Sequence, residues 1–136
     1  MTKALTLEMQ DKVGLFADIT NAMAAAGVNI ISLCAYGMEG KAHCMMVTAD
    51  NAKARRVAEG RGWKVSEHEV VLATLKNEVG AAQKIADAIK AANINLDYTY
   101  CTACSCEEGT CSPECLCQMV LYAKDQAEQL LQAVSV

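Results

Sequence analysis

Apolar and polar residues follow two spacings along this chain, and these predict an order of strands and helices. Lys3–Met9 alternates polar and apolar side chains, which is typical of a half-buried strand. From Phe16 to Ala26 the apolar residues recur every three or four positions, which indicates an amphipathic helix ending at Gly27. Further strands are predicted from β-branched, aromatic and continuously apolar runs, and further helices from the same three-to-four spacing. The remaining predicted strands are Val28–Tyr36, His43–Thr48, Trp63–Glu67, Glu69–Leu75 and Ile94–Tyr100, and the later helices include Asn51–Gly60 and Gln126–Val134.

Part of this order is written twice. Asn77–Leu96 lies on Asp11–Ile30 without a gap when the chain is moved by 66 positions, and Gly14 then meets Gly80. A match over so many ungapped positions indicates two copies of one module. We therefore predict a first module over residues 1–67 and a second over residues 68–136.

The copies differ after their second predicted strand. Beyond this point Asp50 aligns with Asp125, so the offset is 75 and nine residues have been inserted at the tip of the second hairpin. A counterpart of Trp63–Glu67 would begin beyond residue 136, so we expect the second module to lack its last strand. An open sheet edge can pair with another chain, which favours a homodimer through sheet edges. A short edge, or one covered by the first module, is the alternative.

Composition narrows the classes of partner. The formal net charge is −4 and the pI is about 5.1. Since the lysines and arginines are scattered, we expect neither nucleic acid nor a membrane surface as a partner. No signal-peptide pattern opens the chain, and no apolar run approaches the roughly 20 residues of a membrane helix. These features favour a cytoplasmic protein, in which thiols are kept reduced.

Six of the eight cysteines fall within the hairpin insert, residues 101–117. They are Cys101, Cys104, Cys106, Cys111, Cys115 and Cys117. Thiolates select zinc, copper(I) or iron–sulfur clusters, and four of these six would complete a zinc site or a cluster. Metal binding is the preferred interpretation, with zinc or an iron–sulfur cluster as the expected cofactor. A redox-responsive thiol group and a disulfide-stapled loop are the second and third interpretations.

The other two cysteines belong to the first module. Counting outward from Glu39 places Cys34 opposite Cys44 on neighbouring strands, where we predict buried structural thiols. Neither a Ser-His-Asp set, nor a pair of carboxylates in a loop, nor a phosphate-binding glycine motif occurs. The sequence therefore predicts a protein that is not an enzyme.

The repeated motifs resemble those of tandem ACT domains, a family of small-molecule-binding regulatory modules. The resemblance is carried by Asp11–Gly14 with Gly27–Ile30, and by Asn77–Gly80 with Asn93–Leu96. It implies an α+β fold of two ferredoxin-like βαββαβ modules, with antiparallel sheets and helices on one face. It also implies an amino-acid site at the loop after the first strand and at the asparagine of the second strand, often between paired modules. The chain departs from the family at Val13 and Val79, which replace the usual proline. Met9 and Leu75 stand where some serine-binding members carry histidine.

The chemistry of the repeated loops suits such a ligand. Backbone N–H groups at a helix N-terminus favour a carboxylate, and an asparagine amide offers both a donor and an acceptor. Asp11 could pair with a ligand ammonium, and Asn77 is its neutral counterpart. The predicted ligand-binding residues are Asp11, Val13, Gly14, Leu15, Asn29 and Ile30 in the first module and Asn77, Val79, Gly80, Ala81, Asn95 and Leu96 in the second. In the alternative reading, the asparagines only satisfy backbone groups and the Val-Gly pairs are turns.

Two hypotheses of function follow. The first is a non-catalytic regulatory sensor that binds a small amino acid at its ACT modules and carries a thiol-rich metal or redox site. The second is a metal-binding or redox-sensing protein that uses the ACT scaffold without an amino-acid ligand.

Overall fold

The protein is described here from a computed structural model, which covers residues 1–102 and 115–135. Cys104, Cys106 and Cys111 lie outside these residues. The chain divides into two compact units, one comprising Thr2–His68 and the other Glu69–Val136 together with Met1.

Both units combine antiparallel strands with helices. The first unit contains β1 (Thr2–Gln10), α1 (Leu15–Ala25), β2 (Ile30–Met38), β3 (Lys41–Thr48), α2 (Asn51–Gly60) and the beginning of β4 (Lys64–Lys76). The second contains the rest of β4, α3 (Ala81–Ala91), β5 (Tyr98–Cys101), β6 (Leu116–Tyr122) and α4 (Ala127–Val134). Neighbouring strands follow the order β2-β3-β1-β4 in the first unit and β4-β6-β5 in the second. The predicted α+β fold with antiparallel strands is confirmed.

Strand β4 differs from the prediction. The sequence indicated two strands, Trp63–Glu67 and Glu69–Leu75, but the structure has a single strand of 13 residues. No glycine, proline or asparagine stands between Lys64 and Lys76 to turn the chain, so nothing interrupts the extended backbone. In the part of the chain that the structure describes, no strand follows α4.

The β2–β3 turn corrects a second prediction. Glu39 and Gly40 both have positive φ, 53° and 79°, as a two-residue hairpin turn requires. The hairpin is therefore centred between these two residues rather than on Glu39. Cys44 consequently pairs with Ala35, and Cys34 pairs with Met45. A one-residue difference in register places side chains on opposite faces, so the two cysteines are not the cross-strand pair that counting predicted.

The repeat is also visible in the backbone at the ends of α1 and α3. Gly27 and Asn93 adopt positive φ of 71° and 57° directly after their helices. The next N–H then bonds back five residues, from Val28 to Met23 at 2.9 Å and from Ile94 to Ile89 at 3.2 Å. This pattern is the Schellman motif, which satisfies carbonyl groups at a helix end.

Each unit has its own hydrophobic core. In the first, Ile19 and Met23 of α1 pack against Leu5 and Leu7 of β1 and Met46 of β3. Burying one such side chain stabilises the fold by about 1.5–3 kcal/mol. The core of the second unit is smaller among the described residues. It comprises Val71, Ala73, Ile89, Ile94, Leu121, Ala123 and Leu130. The helices therefore cover one face of the strands in each unit and hold the β1–α1 and β4–α3 loops in place.

Candidate ligand site

The loops before α1 and α3 have the same backbone conformation. Gly14 and Gly80 are the N-cap residues, with φ of 86° and 88°, and neither helix has a side-chain cap. Glycine adopts this left-handed conformation without steric cost, so the motif requires it at both positions. The first turns begin with equivalent bonds, from the Asp18 N–H to the Gly14 carbonyl and from the Lys84 N–H to the Gly80 carbonyl. An uncapped N-terminus carries partial positive charge that favours an anion.

A cavity opens beside the first of these loops. Its volume is about 270 Å³, just below the roughly 300–1,000 Å³ of sites for drug-sized ligands. It lies between the N-terminal half of α1 and the hairpin ends of β2 and β3. The lining residues are Asp11, Lys12, Gly14, Leu15, Phe16, Ile19, Ala35, Tyr36, Gly37, Ala42, His43 and Cys44. Three residues predicted from the sequence, Asp11, Gly14 and Leu15, are therefore brought together there.

Asp11 is held against the strands at the edge of this cavity. Its N–H donates to the carbonyl of Gly40 at 3.0 Å, which ties the loop to the hairpin turn. Its carboxylate lies over Gly37, so that a Cβ added at Gly37 would stand 2.5 Å from the Asp11 Oδ2 atom. Gly37 thus makes room for the carboxylate. The sequence prediction missed Gly37, because the pairing of β2 with β3 and of β3 with β1 brings it beside the loop.

Charges near the cavity are mostly paired. Lys12 Nζ lies 3.3 Å from the Asp18 carboxylate. His43 stacks on Tyr36 with ring centroids 5.0 Å apart, and its Nδ1 lies 3.9 Å from Glu8 Oε2. Glu8 also accepts a hydrogen bond from Lys41 at 3.1 Å, and this bond lowers the pKa of Glu8.

The remaining predicted residues of the first module lie elsewhere. The Val13 side chain is fully exposed, and Asn29 and Ile30 are not among the lining residues. The carbonyl of Asn29 accepts a hydrogen bond from Ala49, at the end of β2 opposite to the turn. At about 3.3 Å per residue, the eight steps from Asn29 to Gly37 span roughly 26 Å. One copy of the first unit therefore does not bring Asn29 to the Asp11 loop.

The predicted residues of the second module are separated in a similar way. Val79 is fully exposed, Ala81 is buried, and the Asn77 N–H donates to the carbonyl of Cys115 at 3.2 Å. Asn95 and Leu96 line a different cavity of about 480 Å³, formed at the C-terminal end of α3. That cavity does not include Gly80 or its loop.

The described cysteines fall into two environments. Cys44 is 1% exposed, and burial raises the pKa of its thiol to about 12, with the nearby Cys34 adding to the shift. In the second unit Cys101 is exposed and Cys117 is buried, and both are free thiols. Burial raises the pKa of Cys101, and the neighbouring Cys117 thiol, to which it is hydrogen-bonded, raises it further.

The predicted metal site falls only partly on described residues. Cys115 is disulfide-bonded, and three of the other predicted ligands lie outside residues 1–102 and 115–135. Within those two ranges no three histidine, cysteine, aspartate or glutamate side chains converge as metal ligands. In the second unit, the described thiols of Cys101 and Cys117 lie near each other.

No family model matches the chain, and no curated protein matches its sequence. Solved structures do match its fold. Protein BT0572 from Bacteroides thetaiotaomicron is 20% identical with a TM-score of 0.79, over 96% of this chain and 86% of that one. The ligand-free regulatory subunit of aspartate kinase from Thermus thermophilus is 16% identical with a TM-score of 0.69, over 98% of this chain and 91% of that one. The corresponding subunit from Thermus flavus is 17% identical with a TM-score of 0.67, over 99% and 92%.

These likenesses establish the fold. The α+β fold that the resemblance implied is thereby confirmed, and the likeness extends over nearly the whole chain. Among the residues that the structure describes, no helix has the length and apolar character needed to cross a bilayer.

Proposed function

We propose that the protein is a non-catalytic regulatory sensor whose first unit binds a small amino acid in the cavity beside the β1–α1 loop. This proposal rests on the observation that one small cavity has a group that favours an anion and a group that favours a cation. The uncapped N-terminus of α1 favours an anion, and the Asp11 carboxylate favours a cation. An α-amino acid carries both charges on neighbouring atoms.

In this proposal each part of the ligand has its own partner. The α-carboxylate accepts hydrogen bonds from N–H groups in the first turn of α1. The ammonium group pairs with Asp11. The hydrogen bond from the Asp11 N–H to the Gly40 carbonyl holds this residue against the hairpin, and its carboxylate lies in the space over Gly37. The ligand side chain contacts Phe16 and Ile19, and the cavity of about 270 Å³ limits its size.

The separation of Asn29 from Asp11 favours a homodimer. Strand β2 lies at the edge of the first unit's strand order, and its Ile31 and Met38 side chains are exposed. Antiparallel pairing of two β2 strands centred on Leu33 would place Asn29 of a second chain opposite Gly37. Such a dimer would complete the predicted site with an asparagine amide. Ligand binding would then change the affinity of the two chains for each other.

The regulatory role is supported by the fold. The two Thermus structures that share it are regulatory subunits of aspartate kinase. In the same way, we propose that ligand binding here controls a partner or the protein's own assembly rather than a reaction at the cavity.

Calorimetric titration of the reduced full-length protein against the common amino acids tests this proposal. We expect saturable binding of one or a few of them, and no binding of analogues that lack either the ammonium or the carboxylate group. Asp11→Asn should abolish the requirement for the ammonium group, whereas Lys53→Ala on α2 should change nothing. Silence for every amino acid would refute the sensor function.

A second candidate function is metal binding or redox sensing on an ACT scaffold without an amino-acid ligand. The observation that favours it is the placement of two free thiols, Cys101 and Cys117, as diagonal neighbours on β5 and β6. Serine at both positions separates the two functions. The amino-acid sensor should keep its ligand binding in that variant, whereas a metal-binding or redox-sensing protein should lose its metal or redox response.

A further inference from the structure

The strand registers align the two units position by position. Leu33 and Leu5 flank Met46 in the first unit, and Thr99 and Val71 flank Leu121 in the second. From one unit to the other, the flanking positions differ by 66 and the central position by 75, the two offsets found in the sequence. A residue that lines the first cavity therefore has a defined counterpart in the second unit.

Two of the residues that line the first cavity correspond to cysteines of the second unit. Ala35 of β2 corresponds to Cys101 of β5, and Ala42 of β3 corresponds to Cys117 of β6. Both alanines line the first cavity, on the face of the strands that α1 covers. The second unit thus carries a thiol at each of two positions where the first unit has an alanine lining its cavity.

The two thiols lie close together on one face. Cys101 pairs with Met119, so Cys117 is its diagonal neighbour two residues along β6. Diagonal neighbours on adjacent strands point to the same side and are within reach of each other. The effect of the Cys117 thiol on the pKa of Cys101 agrees with this placement. Cys117 is 7% exposed while Cys101 is open to solvent, so the pair has one buried side and one accessible side.

The carboxylate proposed to bind the ligand ammonium group has no counterpart in the second unit. Asn77 replaces Asp11, which removes the carboxylate for an ammonium group, and Glu78 replaces Lys12. Thiols in place of methyl groups, and an amide in place of a carboxylate, suit a soft metal ion better than a ligand ammonium group. Thiolates are the ligands that copper(I) and other soft ions prefer.

We propose that the second unit binds one copper(I) ion between the sulfur atoms of Cys101 and Cys117, at its counterpart of the amino-acid cavity. Two thiolates complete a linear copper(I) site, whereas a structural zinc site takes four ligands. Within residues 1–102 and 115–135 no third metal-ligating side chain joins this pair. Binding forms two copper–sulfur bonds and releases the two thiol protons to solvent, with no change of oxidation state. The proposal deepens the metal-binding candidate above and does not depend on amino-acid binding.

Anaerobic titration with copper(I) tests this site, using the reduced full chain and a chromophoric copper(I) chelator as competitor. We expect one ion per chain at the site. Cys101→Ser with Cys117→Ser should weaken its binding by more than about 100-fold, the upper end of the cost of losing an outer-shell partner. Cys117 is buried, so serine at that position is expected to destabilise the fold. Cys101→Ser alone, at an exposed position, therefore serves as a second variant. Circular dichroism and thermal unfolding report whether each variant is folded.

Two matched controls locate the site. Cys34→Ser removes a free thiol of the first unit and should leave copper binding unchanged. The triple variant with serine at 104, 106 and 111 should retain the ion. Wild-type affinity in a folded Cys101→Ser variant, or loss of the ion in the triple variant, would overturn the proposal. So would a zinc ion that displaces copper(I) and needs the three loop cysteines. None of these results tests amino-acid binding in the first unit, so the two proposals can fail separately.

Discussion

Substituting Gly37 by alanine tests the part played by Asp11 without changing any charge. The added Cβ would lie 2.5 Å from Oδ2, 3.3 Å from Cγ and 3.9 Å from Oδ1 of Asp11. The carboxylate must therefore move, and as the end of a rotatable side chain it can do so without disturbing the backbone. Gly37 does not have a positive φ, so alanine is compatible with strand β2. We expect the variant to fold.

The effect on ligand binding follows from the displaced carboxylate. A hydrogen bond to a charged group contributes about 1.5–3 kcal/mol, and each 1.4 kcal/mol changes the dissociation constant about tenfold. Gly37→Ala should therefore weaken amino-acid binding by about ten- to 150-fold. The assay is calorimetric titration with the amino acid that binds wild type, together with thermal unfolding.

Gly60→Ala is the matched control, because a Cβ at that position meets nothing within 4 Å. It should leave the dissociation constant unchanged. In an Asp11→Asn background, Gly37→Ala should have no further effect on affinity, since the group it displaces is already altered. Wild-type affinity in Gly37→Ala, or an equal loss in both backgrounds, would show that Asp11 is not the partner of the ammonium group.

Three further predictions concern stability and titration. Burial holds the Cys44 pKa near 12 against an ordinary value of 9.0, so its stabilisation is complete below pH 9 and is lost as the pH rises towards 12. The stability difference between wild type and Cys44→Ala should fall by up to about 4 kcal/mol over this range, and a constant difference would contradict the assignment. Lys41→Met should raise the lowered pKa of Glu8 towards 4.5 in an NMR titration. In wild type this pair stabilises the fold above pH 4.5 and less as the pH falls through the folded-state pKa. Asn51→Ala removes an amide that accepts from Thr48 Oγ1 at 2.7 Å and donates to the Lys3 carbonyl at 2.9 Å. Denaturant unfolding should show a loss of about 1–3 kcal/mol, and an unchanged midpoint would mean that water replaces both bonds.

Local sequence patterns predicted the elements well because their causes are local. Glycine and asparagine tolerate positive φ, so Gly27 and Asn93 mark the helix ends without knowledge of the rest of the chain. The predicted register of β2 on β3 was wrong by one residue. Positive φ at both Glu39 and Gly40 makes a two-residue turn, and counting outward from Glu39 assumed a three-residue one.

The candidate site could be predicted only in part for the same reason. Asp11, Gly14 and Leu15 are neighbours in sequence and reach the cavity together. Gly37 reaches it through strand pairing, which depends on a turn and on contacts far apart in the chain. Asn29 belongs to the same motif as Asp11, yet it lies at the other end of β2. A motif records which residues occur together, but strand direction decides which of them meet.

By itself the sequence determined that part of the chain is repeated, where most of the helices and strands lie, and that the second hairpin segment is nine residues longer than the first. These features arise from side-chain periodicity and from the backbone preferences of single residues. Only the tertiary structure decided that β4 is continuous, that Gly37 makes room for Asp11, and that Cys101 and Cys117 stand where Ala35 and Ala42 line the first cavity. Those relations depend on hydrogen-bond register between strands, which no residue specifies alone.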